Sequence, residues 1–259
     1  MKSSPTKYRK TIVISFIVLL MSIAISNAQE LGFGINAGLA ATDISNVLDP
    51  GSAIQTPTSP IFGFHLGIII DIGFNDHFLI SPEILYTNAG AKQSIDQTSN
   101  FDNLGIKTSN TVKGTNYINL GYLQMPIFLK YKLDNGLNFS FGPTIDYLLS
   151  GNYTGSSMIT TTTTIGGLPT TSTAASDTSY KVDTAINKLE IGFAIGMGYQ
   201  LSNGLGFSLR YVFGISDVFK GGQTYPDTNN PYHRTITQGS YGKNEMFQFS
   251  ISFIFGTNK

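Results

Sequence analysis

From Leu189 to Leu201 every second residue is large and apolar: Leu189, Ile191, Phe193, Ile195, Met197, Tyr199, Leu201. Between them stand Glu190, Gly192, Ala194, Gly196, Gly198 and Gln200. A strict period of two describes a β-strand with two unlike faces. One face is greasy along its whole length. A half-buried strand in water would carry solvated charges on the other face. Glycine and alanine there describe a cramped interior instead. Lipid outside and a narrow, filled inside are the two faces of a membrane barrel strand.

Seven other segments repeat the pattern. The first sets Leu31, Phe33, Ile35, Ala37 and Leu39 against Gly32, Gly34, Asn36 and Gly38. The second sets Phe62, Phe64, Leu66, Ile68, Ile70 and Ile72 against Gly63, His65, Gly67, Ile69 and Asp71. The third, Phe78 to Tyr86, has Ile80, Pro82, Ile84 and Tyr86 opposite Ser81, Glu83, Leu85 and Thr87. It is the least regular, because Pro82 cannot donate to a ladder. The fourth covers residues 117–133, with Gln124, Phe128 and Lys130 inward; the fifth, 137–149, has Asn138, Ser140, Gly142, Thr144 and Asp146 inward. The Leu189 segment is the sixth. The seventh turns Gly206, Ser208, Arg210 and Gly214 inward, and the eighth Gln248, Ser250 and Ser252. Each is long enough for the ~9–11 residues of a tilted membrane strand.

The connections alternate in length. Asn75-Asp76, Asp134-Asn135-Gly136 and Ser202-Asn203-Gly204 are short hairpin turns, and Asn-Gly is the strongest such signal. The other connections are long, over residues 41–60, 92–116, 151–187 and 217–244. Short turns at one rim and long loops at the other predict an eight-stranded antiparallel up-and-down transmembrane β-barrel, with both termini at the short-turn, periplasmic rim. The loop over 151–187 is rich in Thr and Ser, with Thr160 to Thr164 unbroken. That composition predicts a mobile, exposed segment. Aromatic girdles are expected at Phe74, Tyr131 and Tyr199 near the short-turn rim and at Tyr86 and Phe213 nearer the other.

The first residues supply the route. Lys2, Lys7, Arg9 and Lys10 precede an uncharged apolar run over 11–25, and Ser26-Asn27-Ala28 offers small residues at a cleavage site. Residues 1–28 are therefore expected to be a cleaved signal peptide and 29–259 the barrel domain. Removing those four basic residues from a chain with 16 basic and 16 acidic residues leaves a net charge of −4. A nucleic-acid partner, which needs a basic face, is not expected. Charged residues are 12% of the chain, about half the usual share in soluble domains, and there is no cysteine for a disulfide or thiolate metal site.

Four stretches carry a more specific likeness: GFGINAGL, GFHLGIIIDIGFNDHFLISPEILYTNAGAK, YLQMPIFLKYKL and NFSFGPTIDYLLSG. Together they resemble the PorT-like outer-membrane β-barrel family of the Bacteroidota over essentially the whole mature chain. The shared motifs are Pro82-Glu83-Ile84-Leu85-Tyr86 in the third strand and Tyr122, Leu123 and Pro126 in the fourth. The resemblance implies fold and outer-membrane location. The family's namesake is linked to a protein-secretion system, and such proteins are often called porins.

An eight-stranded barrel has an interior just wide enough for side chains to fill, whereas diffusion channels use about twice as many strands. Asp71, Glu83, Lys130 and Arg210 point inward, all in the half nearer the short turns. Two acids against two bases predict ion pairs, because isolated buried charges are costly. The expected role is a salt-bridged, filled lumen under long external loops that meet a protein or surface polysaccharide, with outer-membrane lipid around the staves. A narrow or gated channel is the alternative. A second alternative is a hydrolase at the outer rim, built from His65, Asp146 and Ser150. Asp146, Lys188 and Glu190 are expected near solvent at that rim. No metal spacing or helix-opening glycine loop occurs, so no cofactor and no enzyme activity are expected.

Overall fold

The computed structural model describes residues 30–48, 58–220 and 241–255. The expected signal peptide lies outside them. The strands are β1 (Glu30–Leu48), β2 (Thr58–Gly73), β3 (Phe78–Asn103), β4 (Ile106–Lys132), β5 (Leu137–Ile165), β6 (Leu168–Lys181), β7 (Leu189–Gln200), β8 (Leu205–Gly214) and β9 (Tyr241–Phe255). All pairings are antiparallel. Eight strands close a ring, β1-β2-β3-β4-β5-β7-β8-β9, with β9 returning to β1. Closure leaves no edge within the ring, which is the condition for a sheet to sit in hydrocarbon.

The alternation in the sequence is realised as exposure. Along β7 the odd residues Leu189 to Tyr199 are exposed while Glu190, Gly192 and Ala194 are buried. Side chains that a soluble protein would hide, such as Phe33, Phe64, Ile84, Phe141 and Phe249, stand on the outside. Lipid removes that area from water. Tyr131 sits with Phe78 at a ring distance of 4.9 Å near the short-turn rim, and Tyr86 with Phe64 at 5.9 Å. The three short turns are capped by their own asparagines: Asn75, Asn135 and Asn203 each accept from a backbone amide two residues on.

Three sequence expectations fail here, the first because β1 runs on to Leu48, into the stretch expected as a loop over 41–60. Residues 92–116 and most of 151–187 are not loops. β3, β4 and β5 run on past the ring, and β6 adds to β5. The result is a four-stranded sheet, in the order β3-β4-β5-β6, standing beyond the barrel. From Gly151 to Ile165 it extends about 50 Å along the strand at ~3.3 Å per residue. The Thr-rich stretch is therefore ordered strand. β-Branched threonine suits an extended backbone, and here each threonine has a partner strand to pair with. Thr160 to Thr164 face Thr111 to Lys107 on one side and Thr173 to Pro169 on the other. The turn between them is Gly166-Gly167, both at positive φ (59° and 84°), as a two-residue hairpin demands. Gly167→Val is expected to cost about 1–2 kcal/mol, the cost of a left-handed backbone for a residue with a Cβ. Hydrogen exchange should speed up at the β5–β6 tip alone, with the heat-resistance of the barrel on gels unchanged.

Candidate functional site

The lumen is layered. Nearest the short turns, the Lys130 ammonium donates to Asp71 Oδ1 at 3.2 Å, and both side chains are largely covered. A pit of about 40 Å³ opens beside them, lined by Asp71, Lys130, Ser208 and Arg210, with room for only a few waters. One layer deeper, Arg210 donates from Nη1 and Nη2 to the two oxygens of Glu83, both at 2.7 Å. Asn36 Nδ2 adds a third donor to Glu83 at 3.1 Å, and the guanidinium lies 4.8 Å over the Phe128 ring. The four lumen charges thus form two ion pairs, one at the pit and one buried behind it, with Arg210 on the pit wall.

Above this, Thr87 Oγ1 and Gln248 Nε2 both donate to Gln124 Oε1. Beyond that layer, Tyr122 Oη donates to Glu190 Oε1 at 2.5 Å, and Asn244 Nδ2 donates to Glu190 Oε2 at 2.6 Å. Asp146 lies beside Glu190 across the β5–β7 ladder. Both carboxylates are buried, contrary to the solvent expected near them. The reason is an apolar cap. Val182, Ala185 and Ile186, following β6, meet Val218 and Phe219, following β8, through an Ile186–Phe219 bridge. With Ile44, Leu120 and Leu148 from the wall they close the far mouth. Sequence reasoning misses this cap. The signal is present as the apolar pairs Ala185-Ile186 and Val218-Phe219 within polar connections. It misses Tyr122 and Asn244 too, although Tyr122 shares the parity of the inward Gln124.

The outer-rim set does not assemble. His65 is buried, and its Nε2 is 2.9 Å from Ser250 Oγ, on a different strand from the expected serine. Ser150 is exposed. Its facing is reversed by a bulge: Gly121 pairs Ser150, but Tyr122 pairs Leu148, so Leu149 is the extra residue. After that step the parity of β5 inverts and Ser150 turns outward. Asp146, for its part, keeps to the Glu190 layer. Among the described residues no group of three or more His, Asp or Glu side chains is arranged to hold a metal.

The sheet beyond the barrel has two different faces. Cross-strand partners share a face, and Asp96 pairs with Lys113 (3.3 Å), Thr98 with Thr111 and Thr162 with Thr171 through their side chains on one of them. The opposite face carries Ile118, Tyr153 and Tyr180 at its base, the two tyrosines stacked at 4.8 Å against the cap. Burial in that stack pushes the Tyr153 phenol up from its ordinary value. At the far tip the same face bears Phe101, Ile106, Ile165 and Leu168, all exposed. Leu104, in the β3–β4 turn, holds φ 51° and is 97% exposed.

Solved structures that align include Ail, the attachment invasion locus protein of Yersinia pestis, at 10% identity and a TM-score of 0.35, covering 88% of this chain and 100% of Ail. Neisserial surface protein A aligns at 11% identity and a TM-score of 0.33, covering 86% and 96%. The outer membrane channel DcaP of Acinetobacter baumannii aligns at 9% and 0.23, covering 87% and 96%. Scores this low carry no argument about function. No curated protein matches the chain. The family model described as "Outer membrane protein beta-barrel domain" matches residues 27–220. The greasy outer surface, the closed ring of eight antiparallel strands and that match together make this chain a member of the outer membrane protein β-barrel domain family, located in the outer membrane.

Proposed function

We propose that the protein is a non-conducting barrel that anchors and presents the four-stranded sheet to another macromolecule outside the cell. The observation that carries this reading is the closed lumen: the Arg210–Glu83 pair blocks its middle and the Ile186–Phe219 cap its far mouth. A sealed stave ring has no transport path, and the distinctive surface is then the sheet. The finer kinship, with PorT-like barrels of the Bacteroidota, belongs to the same proposal, supported by the Pro82–Tyr86 and Tyr122–Pro126 motifs. Protein and surface polysaccharide are the partner classes such a sheet can meet. No catalysis is part of the reading, since His65 has Ser250 as its neighbour and Ser150 faces outward.

Purified protein in planar bilayers is expected to give no sustained current, at either polarity and in molar salt. Sustained open levels would overturn the proposal in favour of a channel. Hydrolysis of lipid or peptide by the same preparation, abolished by His65→Ala, would overturn its non-enzymatic part.

A further inference from the structure

Among the described residues, each edge of the projecting sheet has an unpaired stretch. Among the described residues, 168–175 of β6 pair with β5 alone, and no strand joins the other side of β3 beyond Gln93. The backbone groups along residues 94–103 and 168–175 are a template for further strand pairing. Natural edges are usually guarded by charge or proline. Between Thr170 and Ala175 there is neither, and Pro169 removes a donor only at the tip. On β3 the acid Asp96 is already paired with Lys113 of its own sheet, and Asp102 faces Lys107.

The polarity of these edges selects the occupant. β3 ascends from the barrel and β6 descends towards it. Every copy in one membrane stands the same way up. Two β6 edges side by side would therefore run parallel, whereas β3 of one copy beside β6 of the next runs antiparallel, like every other pair in the sheet. The open stretches also share ladder rows: Thr98-Thr111-Thr160-Thr173 and Phe101-Thr108-Thr163-Thr170 cross the whole sheet. At the tip, Phe101 on one edge and Leu168 on the other lie on the same face, 60% and 77% exposed. Joining the edges covers apolar surface that each leaves exposed. Spacing permits it. Four strands ~4.8 Å apart and inclined by about 40° occupy about 25 Å of the membrane plane, close to the width of an eight-stranded barrel with its side chains.

We propose that copies of this chain associate in the membrane through the projecting sheet, the β3 edge of one adding to the β6 edge of the next. The contact is head-to-tail, so it builds a ring or a row rather than a closed pair. The inference rests on the reading of the sheet as an interaction surface and names a second copy as its partner.

The chain has no cysteine, so introduced thiols report cleanly. Thr98→Cys is combined in turn with Thr171→Cys, Thr173→Cys and Ala175→Cys, all on one face, and native membranes are oxidised with copper phenanthroline. Within one copy residues 98 and 173 are three strand spacings apart, about 14 Å, and a disulfide needs Cα atoms within about 7 Å. At least one double variant is expected to give a ladder of dimer, trimer and larger species, while each single variant stays monomeric. Monomer throughout the three doubles overturns the proposal. So does a dimer formed equally by a single variant, which means like edges meet. A conjugate with a different protein also overturns self-association but leaves the interaction reading standing. That reading fails separately, on bilayer conductance. Retained heat-modifiable mobility before oxidation establishes that each variant has folded.

Discussion

Arg210→Ala is expected to cost the barrel about 3–5 kcal/mol of folding stability, the range for removing one partner of a buried ion pair. The Arg210 and Glu83 side chains are 4% and 0% exposed, and the pair is bidentate. Without the guanidinium, the carboxylate keeps Asn36 as its one hydrogen-bond donor and loses its counter-charge. The layers above are packed, and the approach for water is from the small pit that Arg210 lines. The loss also removes the packing of the guanidinium on the Phe128 ring. The expected behaviour differs from a simple cavity. Adding Glu83→Gln to an Arg210→Met background should recover most of the stability, since it removes the orphaned charge itself. Urea unfolding followed by circular dichroism in detergent micelles measures both; the chain has no tryptophan to follow. An Arg210→Ala protein within about 0.5 kcal/mol of the parent, the scatter of surface substitutions, would mean that the lumen is wet.

Gly196→Leu is expected to be at least as damaging, and for a connected reason. A Cβ at this position would stand 2.8 Å from Ser140 Oγ, 2.9 Å from the Leu209 carbonyl oxygen and 3.0 Å from Arg210 Cγ. The leucine side chain needs the space the arginine stem occupies. It displaces Arg210 from Glu83 and adds an overpacking cost of about 1–3 kcal/mol. The two substitutions should therefore be strongly non-additive. In an Arg210→Ala background the arginine stem is gone, while Ser140 Oγ and the Leu209 carbonyl oxygen remain, so Gly196→Leu should cost less than in the parent. A double-mutant cycle on the same unfolding measurement gives the coupling. Additive losses would show that the glycine and the arginine act independently.

That coupling gives the glycines of the Leu189–Leu201 strand their meaning as small inward residues. Gly196 sits across the ladder from Arg210, and its missing side chain is what leaves room for it. The inward parity of Asp71, Glu83, Lys130 and Arg210 is legible in the sequence because a period of two is local to each strand. Which acid meets which base is not. That needs the register of β2, β3, β4 and β8 around the ring. The outer-rim set fails on one residue for the same reason: the Leu149 bulge is invisible to a period count, yet it reverses every side chain after it.

The projecting sheet divides the same way. Gly166-Gly167 is a readable turn signal, and threonine is a good strand residue, but composition alone makes the stretch look unfolded. The turn at Leu104-Gly105 offers no such signal, since leucine seldom accepts positive φ.

By itself the sequence determined a membrane-facing barrel of eight antiparallel strands, which rim carries the short turns, and an interior too narrow for a general pore. All three follow from alternation, turn residues and side-chain size, properties that neighbouring residues impose on one another. The tertiary structure alone decided the ion-pair partners, the cap joining Ile186 to Phe219 and the sheet that carries the strands beyond the barrel ring. Each of these depends on segments far apart in the chain. A strand's face is set by its own alternation, but its partner is set by which distant strand satisfies its backbone hydrogen bonds.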